Sequence, residues 1–273
     1  MLPAQLTCPR QRIVSSQTMT IPRIIPVLLL QEAGLVKTVK FRAPNYVGDP
    51  INAIRIFNEK EADELILLDI LATKQGRDPS FERIRDIAAE CYMPFCYGGG
   101  VRSLAAMEKI YNIGAEKVSL NTACVEIPGL ISNAVRQFGS QSVVASIDVK
   151  KNIFGRYRVY TRGGGSLLRE DPVEYARVLE GEGVGEVIVN SIDRDGMMGG
   201  YDIELLCRIS SALSIPVIAA GGAGSLADFR RAIVEGGASA CAAGSMFVYH
   251  GKHKAVLVTY PDRRTIVRAF TVL

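Results

Sequence analysis

The chain has 273 residues, of which 48% are hydrophobic, 22% are charged and 7% are aromatic, with no tryptophan. This composition is typical of a globular protein and excludes a disordered or fibrous one, and the length allows one large domain or two small ones. The 32 Lys and Arg residues against 28 Asp and Glu give a net charge of +4 without a dense basic run, so nucleic acid is not indicated as a partner. No apolar stretch approaches the roughly 20 residues that a membrane span needs.

The cysteines and histidines do not have the spacing of a metal site. Six cysteines lie far apart, and three of them stand among apolar or small residues, namely Cys96, Cys124 and Cys241. This pattern predicts buried free thiols in a reducing cytoplasm. His250 and His253, the only two histidines, lie together in a segment typical of a polar loop. We therefore predict no metal and no cofactor.

The first residues differ from the rest of the chain. Residues 1–18 carry no periodicity and no apolar core long enough for a signal peptide, so we expect a flexible N-terminal extension. A strongly patterned segment begins at Met19. The span 19–273 is close to the roughly 250 residues of a (β/α)8 barrel, and we expect it to be a single domain.

Short apolar runs alternate with amphipathic stretches along this span, which is typical of β/α units around a parallel sheet. Eight such units in this length favour a closed (β/α)8 TIM barrel over an open doubly wound sheet. The clearest predicted helices are 50–61, 81–91, 104–113 and 226–235. The predicted strands are 24–29, 64–70, 94–98, 117–121, 143–148, 186–192, 216–221 and 240–245.

The sequence also repeats itself. The segment GDPINAIRIFNEKEADELILLDI matches EDPVEYARVLEGEGVGEVIVNSI at a shift of 122 residues, and MPFCYGGGVRSLA matches IPVIAAGGAGSLA at the same shift. This repetition predicts two similar half-barrels, at about 19–140 and 141–250, followed by a C-terminal tail at 251–273.

Glycine-rich loops follow the third and seventh predicted strands. Loops after the strands line the face of a barrel where active sites are found, and glycine backbone N–H groups can bind phosphate oxygens. We therefore predict two phosphate sites at one mouth, which fit a ligand phosphorylated at both ends. The alternative is that these glycines only shape tight turns. The predicted phosphate-binding residues are Gly99, Gly100, Asn121, Thr122, Gly221, Gly222, Gly224, Gly244 and Ser245.

Several motifs together indicate a family. The segments IIPVLLL, DELILLDI, GGGVRS, EKVSLNTA, FGSQSVVASIDVK, VNSIDRDGMMGGYD and PVIAAGGAGS resemble the HisF-like cyclase subunit of imidazole glycerol phosphate synthase, over about residues 22–247. The resemblance implies a ribulose-phosphate-binding type of TIM barrel that binds a bisphosphorylated ribonucleotide. It also implies a HisH-like glutaminase partner docked at the barrel bottom, which sends ammonia through the barrel.

The same resemblance implies Asp148, Lys37 and Asp195 as catalytic residues. Members of the family use two aspartates, at the ends of the first and fifth strands, as general acid and base. Here the fifth strand keeps Asp148, but the first has Leu29, and Asn190 stands where we expect threonine. Because leucine transfers no proton, and loss of an acid or base costs about 10²–10⁴ in rate, histidine-pathway cyclisation is not our first prediction.

Four charged residues at strand starts match a ring that gates the ammonia channel in this family. Two positive and two negative charges would balance one another if they met. The alternative is that charges at strand starts are simply solvated. The predicted gate residues are Arg23, Glu64, Lys117 and Glu186.

The tail GKHKAVLVTYPDR resembles a divergent branch encoded with surface-polysaccharide genes, the glycosyl amidation-associated proteins. That resemblance implies a role with a glutaminase and a separate sugar amidotransferase in forming an acetamidino sugar. Our first prediction is therefore the ammonia-channelling synthase subunit of such a glutamine amidotransferase. Two alternatives stay open: an imidazole glycerol phosphate synthase cyclase that uses Asp148 alone, and a non-catalytic, phosphate-binding activator of a glutaminase.

Overall fold

The computed structural model describes residues 21–168 and 170–271. The predicted extension at 1–18 lies outside these described residues. Among the helices in the described ranges, none combines the length and the apolar character that crossing a membrane requires.

The described residues form alternating strands and helices. The helices are α1 (Pro50–Glu59), α2 (Phe81–Glu90), α3 (Leu104–Ile113), α4 (Thr122–Glu126), α5 (Leu130–Phe138), α6 (Pro172–Gly181), α7 (Ile203–Ala212), α8 (Leu226–Val234), α9 (Ser245–Val248) and α10 (Arg263–Thr271). The strands are β1 (Arg23–Gln31), β2 (Gly34–Val39), β3 (Arg42–Gly48), β4 (Leu65–Asp69), β5 (Phe95–Gly98), β6 (Lys117–Leu120), β7 (Val143–Lys151), β8 (Tyr157–Thr161), β9 (Ser166–Leu168), β10 (Glu186–Ser191), β11 (Val217–Ala220), β12 (Ala240–Ala243), β13 (Tyr249–His250) and β14 (Ala255–Val256).

Eight of these strands close into a barrel. They pair in parallel in the order β1, β4, β5, β6, β7, β10, β11 and β12, and β12 pairs with β1. A helix follows each of them before the next barrel strand begins. The predicted (β/α)8 TIM barrel is therefore confirmed, and each of the eight predicted strands overlaps one of its strands.

Two antiparallel hairpins extend the barrel and were not predicted. The strands β2 and β3 continue from the end of β1, and β8 and β9 continue from the end of β7. The strand β3 has five exposed residues in succession and contains Pro44, so it lacks the apolar alternation of a barrel strand. Pairing with the projecting ends of β1 and β7 stabilises these short segments, and that pairing is not a local sequence signal.

The internal repeat appears in the structure as repeated helix starts. Asp49 and Asp171 cap α1 and α6, and a proline follows each cap. Ser103 and Ser225 cap α3 and α8 with their hydroxyl groups. A side-chain oxygen at this position accepts a backbone N–H that the helix leaves free, and proline suits the first helical position. The same local signals thus begin corresponding helices in both halves of the sequence.

Apolar side chains fill the barrel between its two ends. Large aliphatic residues of five strands meet there, and small residues from β5, β11 and β12 complete the layer. Outside the barrel, a larger apolar cluster lies between the strands and the helices, and α10 of the predicted tail buries Ile266 and Phe270 in it. The interior residues are Ile25, Ile66, Cys96, Val144, Ile188, Ile218, Ala220, Ala240 and Ala242.

The predicted buried thiols are confirmed in part. Cys96 and Cys241 are buried, whereas Cys124 is only partly buried, and all three are free. Burial raises the pKa of each of these thiols, because the charged thiolate would lose its hydration.

Candidate functional site

A cavity of about 270 Å³ opens at the carboxyl ends of the barrel strands. Both halves of the chain contribute to its wall, including Leu29 and the predicted catalytic residues Asp148, Lys37 and Asp195. The predicted phosphate-binding residues that line it are Gly99, Gly100, Asn121, Thr122, Gly221, Gly222, Gly244 and Ser245. The structure thus brings together groups that are far apart in the sequence.

Gly224 is the exception among the predicted phosphate-binding residues. Its backbone N–H donates to the carboxylate of Asp228 at 3.0 Å, within the cap of α8. A Cβ atom at this position would lie 2.3 Å from the carbonyl oxygen of Met198. Close packing and the helix cap therefore account for Gly224, which does not line the cavity.

The two glycine-rich loops have matching backbone conformations. Gly99 and Gly222 have φ values of +116° and +120°, a region that side chains disfavour. A Cβ atom at Gly99 would lie 2.3 Å from the carbonyl oxygen of Asp69, and one at Gly222 would lie 2.3 Å from that of Gly200. Only glycine therefore fits these turns, which supports the alternative that the glycines shape tight turns. Phosphate binding stays a prediction that the cavity lining makes possible.

Asp148 is a buried carboxyl group in the cavity wall, with 7% of its surface exposed. Burial and the nearby charge of Asp195 raise its pKa to about 7, although hydrogen bonds from Asn190 and Asn121 lower the pKa in part. The Asn121 amide donates to Asp148 Oδ2 at 3.1 Å. A carboxyl group with a pKa near neutrality can serve as a general acid or a general base.

Lys37 comes from the unpredicted strand β2 and is 4% exposed. Its Nζ donates to the carbonyl oxygen of Val27 at 2.5 Å. Burial lowers the pKa of Lys37 to about 8, and the charge of Asp195 opposes that shift. Burial also raises the pKa of Asp195, while Lys37 and a hydrogen bond from Thr38 at 3.1 Å lower it.

Leu29 and Asp148 occupy equivalent positions across the mouth. Each lies on a long barrel strand at the point where an antiparallel hairpin pairs with it, Leu29 opposite Val36 and Asp148 opposite Tyr160. The strands β1 and β7 lie four places apart in the ring of eight. The mouth therefore has a carboxyl group on one side and a half-buried apolar side chain at the corresponding place on the other.

The predicted gate residues form a closed ring at the opposite end of the barrel. Arg23 contacts Glu64 at 2.5 Å and Glu186 at 2.6 Å, and Lys117 contacts the same two carboxylates at 3.0 Å each. Burial lowers the pKa of Lys117, but the two glutamates outweigh it and raise the pKa overall. These charges satisfy one another and are not simply solvated strand ends. Gating itself stays a prediction.

Apart from Lys37, sequence reasoning missed the residues that the hairpins bring to the cavity. Phe41, in the β2–β3 turn, and Arg162, in the β8–β9 turn, both line it. The backbone N–H of Arg162 donates to Thr122 Oγ1 at 2.9 Å, so the second hairpin contacts a predicted phosphate-binding residue. The run Gly163–Gly165 after Arg162 was a glycine signal that could have indicated a turn there.

Residues 23–254 match the model of the family described as "Histidine biosynthesis protein". The chain belongs to this family. A relative from Pseudomonas aeruginosa, provisionally named imidazole glycerol phosphate synthase subunit hisF2, is 55% identical over 244 residues, which cover 88% of this chain and 96% of that protein. A relative from Alkaliphilus metalliredigens, named imidazole glycerol phosphate synthase subunit HisF, is 43% identical over 228 residues, which cover 84% of this chain and 90% of that protein.

A third relative of this histidine biosynthesis family member comes from Vibrio vulnificus and is provisionally named imidazole glycerol phosphate synthase subunit hisF3. It is 45% identical over 241 residues, which cover 88% of this chain and 93% of that protein. The predicted resemblance to the HisF-like cyclase subunit of imidazole glycerol phosphate synthase is therefore confirmed. Membership of the glycosyl amidation-associated branch stays a prediction.

Proposed function

We propose that the chain is the ammonia-accepting synthase subunit of a glutamine amidotransferase of imidazole glycerol phosphate synthase type. The observation that carries this proposal is the closed ring of Arg23, Glu64, Lys117 and Glu186 at one end of the barrel, with the Asp148 cavity at the other. The names of the relatives favour the histidine-pathway cyclase, which was our alternative, over the acetamidino-sugar role that we predicted first.

The proposed path for ammonia runs through the apolar layer between the ring and the mouth. Its walls include Ile25, Ile66 and Val144, together with small residues such as Ala240 and Ala242. An apolar path favours neutral ammonia over ammonium, because an ion would lose its hydration there. Ammonia would then reach the reaction centre in its nucleophilic form.

At the mouth, the proposed ligand is a small molecule phosphorylated at both ends, bound by the two glycine-rich loops. Asp148 in its neutral form can donate a proton to a leaving hydroxyl group, and in its ionised form it can accept one from the attacking nitrogen. Lys37 in its charged form can stabilise negative charge that develops on an oxygen of the ligand.

The proposed partner is a HisH-like glutaminase at the ring end of the barrel. Glu116, beside Lys117, is exposed there, and Tyr92, shortly before β5, is 83% exposed. The test is to mix the chain with candidate glutaminases and measure glutamine hydrolysis with and without ligand. The proposal is supported if the wild type stimulates glutamine hydrolysis and if Lys117→Met weakens that stimulation. It is contradicted if no complex forms and glutamine hydrolysis is not stimulated.

The acetamidino-sugar role is a second candidate, and Leu29 is the observation that favours it. A mouth with leucine in place of the carboxyl group expected at the end of β1 suits a reaction other than the usual cyclisation. The deciding experiment is expression in a histidine auxotroph that lacks its own cyclase subunit. Growth supports the cyclase. Glutaminase stimulation without growth supports an amidotransferase that serves a separate sugar-modifying enzyme.

The non-catalytic alternative differs from both in its use of Asp148. An activator needs only ligand binding, so Asp148→Asn would leave glutaminase stimulation intact and Gly222→Ala would abolish it, while the wild type forms no product. If the wild type forms a nitrogen-containing product with ammonia alone, the activator role is excluded.

A further inference from the structure

The hairpin of β7 and β8 projects beyond the barrel. The last register pair between β7 and the neighbouring barrel strand β10 joins Val149 to Ser191, and beyond it β7 pairs with β8 alone. Because β7 runs toward the mouth, where Asp148 lines the cavity, the hairpin extends outward from the mouth end of the barrel. It therefore points away from the charged ring at the opposite end.

Two large apolar side chains stand next to each other at the tip of this hairpin. Ile153 is 93% exposed and Phe154 is 79% exposed. The turn that carries them is held by its own hydrogen bonds, because the Asn152 side chain accepts the backbone N–H groups of Phe154 at 2.9 Å and Arg156 at 3.0 Å. The backbone N–H of Gly155 donates to the carbonyl oxygen of Asn152 at 2.9 Å in the same turn. A preformed turn thus presents an apolar pair whose burial against another surface would be favourable.

One face of the hairpin carries cations without acidic partners. Side chains alternate between the two faces of a strand and directly opposed residues share a face, so Lys150 and Arg158 lie together, and Arg156 lies on the same face. In the part of the chain that the structure describes, none of these three residues forms an ion pair, and Arg158 donates to the carbonyl oxygen of Tyr157 at 2.8 Å. We call Lys150, Arg156 and Arg158 the basic face.

The other face of the hairpin packs on the protein itself. Tyr157 is buried there, and its hydroxyl group donates to Asp202 at 2.8 Å and to Glu204 at 3.2 Å. Lys151, which lies opposite Tyr157, forms an ion pair with Glu204 at 3.4 Å. These contacts fix the hairpin to the start of α7. They also engage the neighbouring carboxylates on this side, so the basic face is left with its positive charge uncompensated.

We propose that this hairpin docks the protein on an anionic lipid surface, with Ile153 and Phe154 inserted below the headgroups and the basic face against the lipid phosphate groups. Elements that bind at a membrane interface insert apolar side chains by about 5–10 Å and are rich in cations beside them. A strand advances about 3.3 Å per residue, so Arg158 lies about 7 Å behind Arg156. The cations thus follow the apolar tip in successive levels, as headgroup contact requires.

The shape of the tip favours a lipid surface over a protein. A stable protein interface buries about 800 Å² per partner around an apolar core that is poor in charge. Two side chains on a convex turn, with three cations behind them, do not provide such a core. A lipid surface needs no complementary pocket, and its anionic headgroups attract cations. In this arrangement the mouth faces the lipid, and the ring end stays free for the proposed glutaminase.

The test is sedimentation of the full chain with lipid vesicles. We use vesicles of equal parts phosphatidylglycerol and phosphatidylcholine, and vesicles of phosphatidylcholine alone. The wild type should bind the anionic vesicles at least about tenfold more strongly, and less so as salt is added. The double variant Ile153→Ser/Phe154→Ser should weaken this binding at least about tenfold, because the apolar burial is lost. Both side chains are exposed, so the replacement does not disturb the folded structure.

A matched pair of variants separates the basic face from net charge. Arg156→Gln/Arg158→Gln should weaken binding to the anionic vesicles about 30-fold. Lys252→Gln/Lys254→Gln removes the same charge from the exposed turn between β13 and β14, which has no large apolar side chain, and should leave binding nearly unchanged.

The proposal is overturned if the two charge variants lose equal affinity, if the wild type does not bind the anionic vesicles, or if it binds both kinds of vesicle equally. Self-association that Phe154→Ser abolishes, in a chain that binds no vesicles, would assign the tip to an interface between copies and would also overturn it. These measurements use neither ligand nor glutaminase, so their outcome is independent of the proposed function.

Discussion

The side-chain amide of Asn121 donates a hydrogen bond to the carboxyl group of Asp148 at 3.1 Å. The same nitrogen donates to the carbonyl oxygen of Ser146 at 2.9 Å, so Asn121 joins the end of β6 to β7. These contacts hold the carboxyl group in place at the mouth. They do not suffice to keep it ionised, because burial and the charge of Asp195 raise the pKa of Asp148 to about 7.

The first prediction concerns pH and stability. An aspartate of ordinary pKa in the unfolded chain ionises near pH 4, whereas Asp148 in the folded chain holds its proton up to about pH 7. The folded state therefore binds more protons in this window, and its stability falls as pH rises from about 4 to 7. Asp148→Asn removes this loss, so the free energy of unfolding of the variant should exceed that of the wild type by up to about 4 kcal/mol at pH 8. Urea unfolding of both proteins from pH 4 to 8 measures the difference.

Asp78→Asn is the control for this experiment, because the Asp78 side chain is 75% exposed. Its difference from the wild type should not grow across the same window. A gain from Asp148→Asn that stays constant from pH 4 to 8 would show that the Asp148 carboxyl group titrates like an ordinary one.

The second prediction concerns the charged ring. Lys117→Met leaves the two carboxylates of the ring, Glu64 and Glu186, with Arg23 as their remaining contact within it. Removal of one partner from a buried ion pair is costly, and we expect a loss of about 2–4 kcal/mol in the free energy of unfolding. Arg55→Gln, which breaks the exposed Arg55–Glu90 pair, should cost clearly less, because solvent screens that pair. Equal losses for the two variants, measured by urea unfolding, would contradict a buried ring.

The third prediction uses the repeated helix caps. Ser225→Ala removes the hydroxyl group that accepts the Asp228 N–H and that, in a reciprocal contact, donates to the Asp228 carboxylate at 2.9 Å. We expect a loss of about 1–2 kcal/mol. Ser103→Ala at the matching cap lacks this reciprocal contact and should cost about 0.5–1 kcal/mol. Thermal unfolding of the two variants compares them, and the reverse order would count against the reciprocal contact as the cause.

The fourth prediction concerns Leu29. If the rest of the mouth can perform cyclisation, Leu29→Asp restores a second carboxyl group opposite Asp148 and raises the ammonia-dependent rate by about 10²-fold or more. Leu29→Asn is the control, because it is similar in size and transfers no proton. The measurement is product formation from a bisphosphorylated ribonucleotide with ammonium salt as the nitrogen source. No gain over Leu29→Asn would show that other positions of the mouth also prevent the reaction.

Local signals allowed much of the fold to be predicted. The alternation of apolar strands with amphipathic helices depends on residues that are close together in the sequence. The same holds for the helix caps at Asp49, Ser103, Asp171 and Ser225, so both signals can be recognised without a structure. The repeat at a shift of 122 residues then required each half to fold alike. The hairpins after β1 and β7 were missed because their strands are short and are stabilised by pairing with the projecting ends of those barrel strands.

The chemistry of the site depended on contacts between distant parts of the chain. Arg23 and Glu186 meet across 163 residues, and the Gly224 amide serves a helix cap instead of the cavity. The sequence alone determined that Asp148 and Lys37 stand near a barrel mouth. Only the tertiary structure decided their pKa values, because burial and the charge of Asp195 depend on which elements close around them.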